Sequence, residues 1–218
     1  MLIVVDVLSF STAVEVAVGR GAIVFPSAQH GAAAAEFAAR VTAELAVGRQ
    51  RTSSSSPYSL SPGTLRTLPP GTRLVLPSLN GSVISTIGAR LARTVLAGCL
   101  RNAAAVARTA QAAGGRVGVV AAGERWPDGS LRPAVEDMIG GGAIVSHFAR
   151  ADQSPEASAA VAAFRDAEPE LLQRLLACSS GRELVDLGFA DDVRVAADLN
   201  ASTTVPSLED GAFRARPG

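Results

Sequence analysis

The chain has 218 residues, 48% of them hydrophobic but only 4% aromatic, and its 20 basic and 20 acidic residues leave no net charge. That length supports one large domain or two small lobes around a shared core of Ala, Val, Leu and Ile, and the charge balance argues against a nucleic-acid or anionic-membrane surface. Every basic residue is an arginine, which removes Schiff-base, pyridoxal-phosphate and P-loop lysine chemistry.

In chain order, residues 2–5 (Leu-Ile-Val-Val) read as a short strand buried on both faces of a mostly parallel sheet. Asp6 stands at its carboxyl end, with Ser9, Ser11 and Thr12 next, and a helical pattern over 13–18 stops at Gly19 or Gly21. Asp6 also interrupts the one apolar run at the N-terminus, so no secretory signal is expected. Strands are expected over 22–25, 73–76, 94–97 and 116–121, and helices over 28–46, 82–90, 102–113 and 134–148. Residues 155–178 read as helical with a break at Pro169, and 192–197 as a last strand. Repeated βα units of this size predict an α/β fold, with a parallel or mostly parallel sheet covered by helices on both faces.

Two stretches fit no element. Residues 48–70 form a long polar loop containing Ser53-Ser54-Ser55-Ser56-Pro57, and residues 123–133 form another with Glu124, Arg125, Asp128 and Arg132. Such loops are either binding loops or disordered. One α/β domain, with room for two lobes, is expected over residues 1–200, followed by a C-terminal tail over 201–218 that wraps the surface or is partly disordered. No run approaches the length of a membrane span, so a cytoplasmic protein is expected.

Chemistry is expected at the strand ends, because ligands of open α/β sheets gather there. If the sheet is parallel, four polar clusters share one edge: Asp6 with Ser9, Ser11 and Thr12; residues 78–82; residues 98–102; and Gly123-Glu124-Arg125. Helix N-termini at that edge suit phosphate. Asn80-Gly81-Ser82 is the best cradle, since Gly81 permits close backbone approach, although an isolated Asn-Gly is also an ordinary cap or turn. Asn102 likewise is either a ligand contact or an N-cap. Arg125 and Arg132 could clamp an anion or be solvated.

Glu136-Asp137 precedes Met138-Ile139-Gly140-Gly141-Gly142. Acids in a first helical turn are commonly solvated and favoured by the dipole. Three glycines inside a helix, at roughly 1 kcal/mol each relative to alanine, imply close passage of another backbone or a ligand. An inward-facing Asp137 together with Asp6 would supply two hard oxygen ligands for Mg²⁺ beside phosphate and water. Other hydrolytic routes fare worse. Position 8 is Leu, where an aspartyl-nucleophile phosphatase has a second Asp, and position 105 is Ala, where a thiolate loop at Cys99 would need Arg. Cys99 and Cys178 are isolated, and His30 and His147 lie in alanine-rich helical patterns, which disfavours zinc and a Ser-His-Asp triad.

The chain resembles the 2-phosphosulfolactate phosphatase family, Mg²⁺-dependent acid phosphatases of coenzyme M biosynthesis. The resemblance rests on Val4-Val5-Asp6-Val7-Leu8 with Ser11-Thr12, on Leu79-Asn80-Gly81-Ser82, on Asn102-Ala103-Ala104-Ala105-Val106, on Glu136-Asp137 with residues 140–143, and on residues 181–192. It spans roughly residues 3–200. It implies a three-layer α/β/α fold with a mostly parallel or mixed sheet, a homodimer or higher homo-oligomer, and hydrolysis of an O-phosphate beside a carboxylate and a sulfonate. Asp6 and Asp137 would be metal ligands, Glu136 a ligand or orienting group, and Ser11, Thr12, Asn80 and Ser82 phosphate or metal-water contacts. The chain departs from the family pattern at Ser9, where relatives usually carry Arg, and in the 48–63 loop, where Gly48-Arg49-Gln50-Arg51 and Ser55-Ser56-Pro57 replace Gly-Glu-Arg and Asn-Ser-Pro. These departures bear on the substrate and allow a second reading, a ligand-binding or regulatory protein that has lost turnover. Relatives also typically carry a segment before the first strand, so an open sheet edge is expected there.

Overall fold

β-branched runs and alanine-rich stretches sort into a sheet and the helices that cover it. The computed structural model describes residues 1–216. In chain order, β1 (Leu2–Val5) leads to α1 (Phe10–Gly19), β2 (Ile23–Ser27) to α2 (Gly31–Arg40), and β3 (Glu44–Leu45) opens the long loop. The loop holds a 3-10 turn at Arg49–Arg51 and α3 (Pro62–Leu65), and β4 (Arg73–Pro77) and α4 (Gly81–Leu91) follow it. Next come β5 (Val95–Gly98), α5 (Ala103–Ala113), β6 (Gly118–Ala121) and a small hairpin of β7 (Glu124–Arg125) and β8 (Leu131–Arg132). Five helices follow: α6 (Val135–Val145), α7 (Pro155–Ala167), α8 (Leu171–Ala177), α9 (Ser179–Asp186) and α10 (Ala190–Ala197). The strands β9 (Pro206–Glu209) and β10 (Ala212–Ala215) end the described chain.

The main sheet has eight strands in the order β3-β4-β2-β10-β9-β5-β1-β6. Strands β5, β1 and β6 are parallel to one another, and so are β2, β3 and β4. Between the two groups the pairings of β2 with β10, β10 with β9 and β9 with β5 are all antiparallel. The groups therefore run in opposite senses, and the sheet is mixed. Alternate side chains of β1 face opposite layers. Ile3 and Val5 join Val106 of α5, Ile144 of α6 and Phe164 of α7 on one face, while Leu2 lies against α4 at Gly88 on the other. Across the sheet, Val24, Leu74 and Leu76 pack with α1 and α3, and Phe25 and Val75 pack with Ala38 of α2. The result is a three-layer α/β/α architecture.

Several expected boundaries change. The helix expected over 28–46 stops at Arg40, because Thr42 takes a left-handed conformation (φ 50°) and turns the chain into β3 beside β4. Residues 192–197 are helical rather than extended. Val193, Val195 and Ala196 bury one face of α10, and Asp191 and Asp192 occupy its first turn, where the helix dipole favours them. The tail is neither a wrap nor disordered where described. Asp210-Gly211, both at positive φ, make the tight turn that joins β9 to β10, and this hairpin sits in the middle of the sheet. Strand β1 is paired on both sides, so β6 and β3 are the sheet edges.

Candidate active site

Asp6 leaves the end of β1 and is almost wholly buried. Its Oδ1 accepts the Phe10 amide at the start of α1 (3.0 Å), and its Oδ2 accepts the Gly81 amide at the start of α4 (3.0 Å). One carboxylate thus joins two helix N-termini, whose free amides and dipoles favour an anion. Gly81 is required for this approach: a Cβ there would run into the Phe10 ring and come within 2.8 Å of Asp6 Oδ2.

Asp137, in the first turn of α6, does the same for a second pair of loops. Its Oδ1 accepts the Val7 amide (2.7 Å) and its Oδ2 the Gly123 amide (2.9 Å), tying the segments that follow β1 and β6 together. The glycines of α6 let that helix come close. A Cβ at Gly140 would strike Val7 and Val5, and one at Gly142 would overlap the Ala160 carbonyl of α7. Glu136 precedes Asp137, is 2% exposed, and shares a side-chain hydrogen bond with the Cys178 thiol. Glu124, on β7, reaches across to Asn80, whose Nδ2 donates to Glu124 Oε2 (2.9 Å).

These four acids act on one another. Burial raises the Asp6 carboxyl to about 6 despite its two amide donors, with the nearby Glu136 charge adding to the rise and Arg49 opposing it. Burial, then the Asp6 charge, holds Asp137 well above the ordinary carboxylate range. Burial, then Asp6, pushes Glu124 to about 7, against the Asn80 hydrogen bond and the Arg132 charge. The cluster therefore carries more negative charge than its surroundings balance. Asp6, Asp137, Glu136, Asn80 and Gly81 come together here, and of the Gly123-Glu124-Arg125 cluster it is the Glu124 side chain that joins them.

The structure does not bring the remaining expected contacts to the acid cluster. Ser11, Thr12, Ser82 and Asn102 are all fully buried. Ser11 donates to the Val4 carbonyl and accepts the Asp6 amide, Thr12 donates to Val7, and Ser82 donates to Leu76. Asn102 accepts the Cys99 amide and donates to the Ala97 and Thr204 carbonyls, which fixes the turn after β5 and the approach to β9. These polar groups satisfy buried backbone and so shape the loops. Arg125 is exposed and donates to Gly129 within its own hairpin; Arg132 instead turns to Glu183, at 2.6 and 3.0 Å. His30 and His147 lie outside regular helix and are exposed. Burial pushes the thiols of Cys99 and Cys178 up to about 12, so neither is a thiolate at neutral pH.

One further group borders Asp6. Arg49, in the 3-10 turn of the long loop, donates from Nη2 to Ser9 Oγ (2.7 Å) and from Nε to Asp192 Oδ2 (3.1 Å). Asp192, of α10, is buried, and the Ser61 hydroxyl donates to its other oxygen. The Leu8–Ser9 peptide in this corner is cis.

Among the described residues no group of three His, Cys, Asp or Glu side chains stands ready to hold a metal by itself. A Mg²⁺ ion does not require one, because it is commonly held by one or two carboxylates together with waters and substrate phosphate. Asp6 and Asp137 fit that provision. Each carboxylate oxygen has one lone pair taken by an amide and another free, and the surplus negative charge is of the sign a cation would relieve.

A family model described as 2-phosphosulpholactate phosphatase matches residues 1–211, and the chain belongs to this family. No curated protein matches it.

Proposed function

We propose that the chain is a Mg²⁺-dependent phosphatase that hydrolyses a small anionic phosphoester, 2-phosphosulfolactate or a related 2-phospho acid. The observation that supports this most is the gathering of Asp6, Glu124, Glu136 and Asp137 around two helix N-termini, in a chain of the 2-phosphosulpholactate phosphatase family.

Asp6 and Asp137 would hold the ion, and Glu136, buried beside Asp137, would complete or orient its shell. When bound, the ion supplies charge neutralisation at the phosphoryl oxygens and lowers the pKa of a coordinated water. The first turn of α4 would direct its partial positive charge at the phosphate. Glu124, raised to about 7, keeps its proton through much of the neutral range and can donate it to the leaving oxygen. Burial of the acids excludes water around them and strengthens each electrostatic contact.

Hydrolysis of phenyl phosphate and 2-phospholactate, with Mg²⁺ and with EDTA, tests this reading. EDTA should abolish release, and Asp6→Asn and Asp137→Asn should each lower kcat/KM by about 100-fold or more, as loss of a group that stabilises the transition state does. Hydrolysis unaffected by EDTA, or retained in both variants, would exclude the assignment.

A further inference from the structure

The two ends of β5 differ in charge. Asp6 and its neighbouring acids lie beyond the end where Val5 pairs with Gly98. At the other end the Thr94 carbonyl accepts the Leu2 amide (2.9 Å), and here an open cavity of about 400 Å³ is lined by Arg93, Thr94, Ser207, Leu208, Glu209 and Arg216. The length of β1 between them sets the two places on the order of 13 Å apart. Three segments build the cavity: the turn before β5, the strand β9 and the residue after β10. Their register is fixed, since Leu96 pairs with Ser207 and the Arg216 amide donates to the Val205 carbonyl (3.0 Å). Ser207 is 3% exposed, yet its hydroxyl bonds to no described residue. No fully buried side-chain oxygen among the described residues lacks a partner, so the hydroxyl is the part of Ser207 that reaches the cavity. An open hydroxyl on so buried a residue marks a place for a ligand or water. Arg93, Arg216 and Glu209 are exposed, and none of them makes an ion pair among the described residues.

Two guanidinium groups on one cavity repel each other, and an anion between them relieves that repulsion. A phosphate ester carries nearly two negative charges at neutral pH and offers the paired oxygens that a planar arginine fork engages. The Thr94 and Ser207 hydroxyls add donors of the same use. Glu209 works against a bare anion but accepts a hydroxyl group. We propose that this cavity binds a small phosphate ester that also carries a hydroxyl, with Arg93, Arg216 and Ser207 on the phosphate and Glu209 on the hydroxyl. The site is separate from the acid cluster, needs no metal, and stands whether or not the phosphatase reading does.

Calorimetric titration with glycerol 3-phosphate and with inorganic phosphate, both in EDTA, tests the proposal, because the acid cluster without a divalent ion repels both. Glycerol 3-phosphate should bind saturably, about 10-fold more tightly than inorganic phosphate, as one added hydrogen bond allows. Arg93→Ala and Arg216→Ala should each weaken it by about 10- to 100-fold, the range for a lost charge-assisted hydrogen bond. Arg216→Lys should recover part of the loss, since it keeps the charge without the fork, and Ser207→Ala should cost about 3- to 10-fold. Glu209→Gln should narrow the preference for the ester by strengthening inorganic phosphate. Both arginines are exposed, so melting temperatures within about 2 °C of wild type should show that the variants fold. No saturable binding to wild type, binding retained in both alanine variants, or equal affinity for inorganic phosphate would overturn the proposal.

Discussion

Asp6 carries two tasks that pull against each other. Its oxygens accept amides from two helices, which favours the ionised form, yet burial and the neighbouring acids favour the proton. The position is workable only because Gly81 has no side chain to separate α4 from α1. Gly81→Ala should therefore cost about 1–3 kcal/mol, the range for overpacking against a rigid neighbour, since the Phe10 ring it meets is fully buried. A melting temperature lowered by roughly 2–10 °C, with phosphatase activity falling alongside, is the expected outcome; an unchanged melting curve would show that the contact relaxes freely. Asp6 and Asp137 could be picked out from the sequence because a strand end and a helix start are positions that local patterns reveal. Arg49, Ser61 and Asp192 could not. Arg49 and Asp192 are 143 residues apart, one in a loop and one in a stretch whose Val193 and Val195 suggested a strand. The hydroxyls of Ser11, Thr12 and Ser82 donate to backbone carbonyls, a use that the sequence does not separate from ligand binding, because a hydroxyl after a strand serves either.

The C-terminal hairpin is the element that composition hid. Prolines and glycines around residues 201–218 suggest a wrap, but Asp210-Gly211 between Leu208-Glu209 and Ala212-Phe213 is a tight-turn signal flanked by alternating residues. The hairpin closes the sheet between β2 and β5, and Phe213 is fully buried, edge-on to Phe10 with ring centres 6.2 Å apart. Phe213→Ala should cost about 3–5 kcal/mol, read from the urea midpoint at constant slope; a loss under 1 kcal/mol, estimated as for a surface site, would mean that the hairpin is peripheral. Strands β1, β2, β4, β5 and β6 are readable as short apolar runs and α5 and α7 as alanine-rich stretches, whereas β3, β7 and β8 are too short to carry a pattern. The end of α2 is not readable either, because Thr42 breaks the helix through a backbone conformation that its residue type does not announce.

Across the molecule, zero net charge conceals a local imbalance. Two parallel strand groups running in opposite senses, joined by the hairpin, bring the end of β1 and the start of α4 together, with the loop after β6 and the start of α6 closing around them. The resulting carboxyls titrate far from their unfolded values. Asp6 rises from 3.8 to about 6 and Glu124 from 4.5 to about 7, so between pH 4 and 7, approximately, the folded state binds more protons than the unfolded one. Stability is therefore greatest while these groups are protonated in both states, and it is lost as pH climbs from the unfolded values through the folded ones. For Asp6 alone the loss is on the order of 3 kcal/mol.

Thermal melting against pH, in EDTA and in Mg²⁺, tests the cation-seeking acid cluster most directly. In EDTA the melting temperature should fall by roughly 5–10 °C between about pH 5 and 7.5. Mg²⁺ should restore much of that at the higher pH and little at the lower, where protons occupy its ligands, and Asp137→Asn should remove the restoration. Superimposable curves with and without Mg²⁺ at every pH would contradict the account.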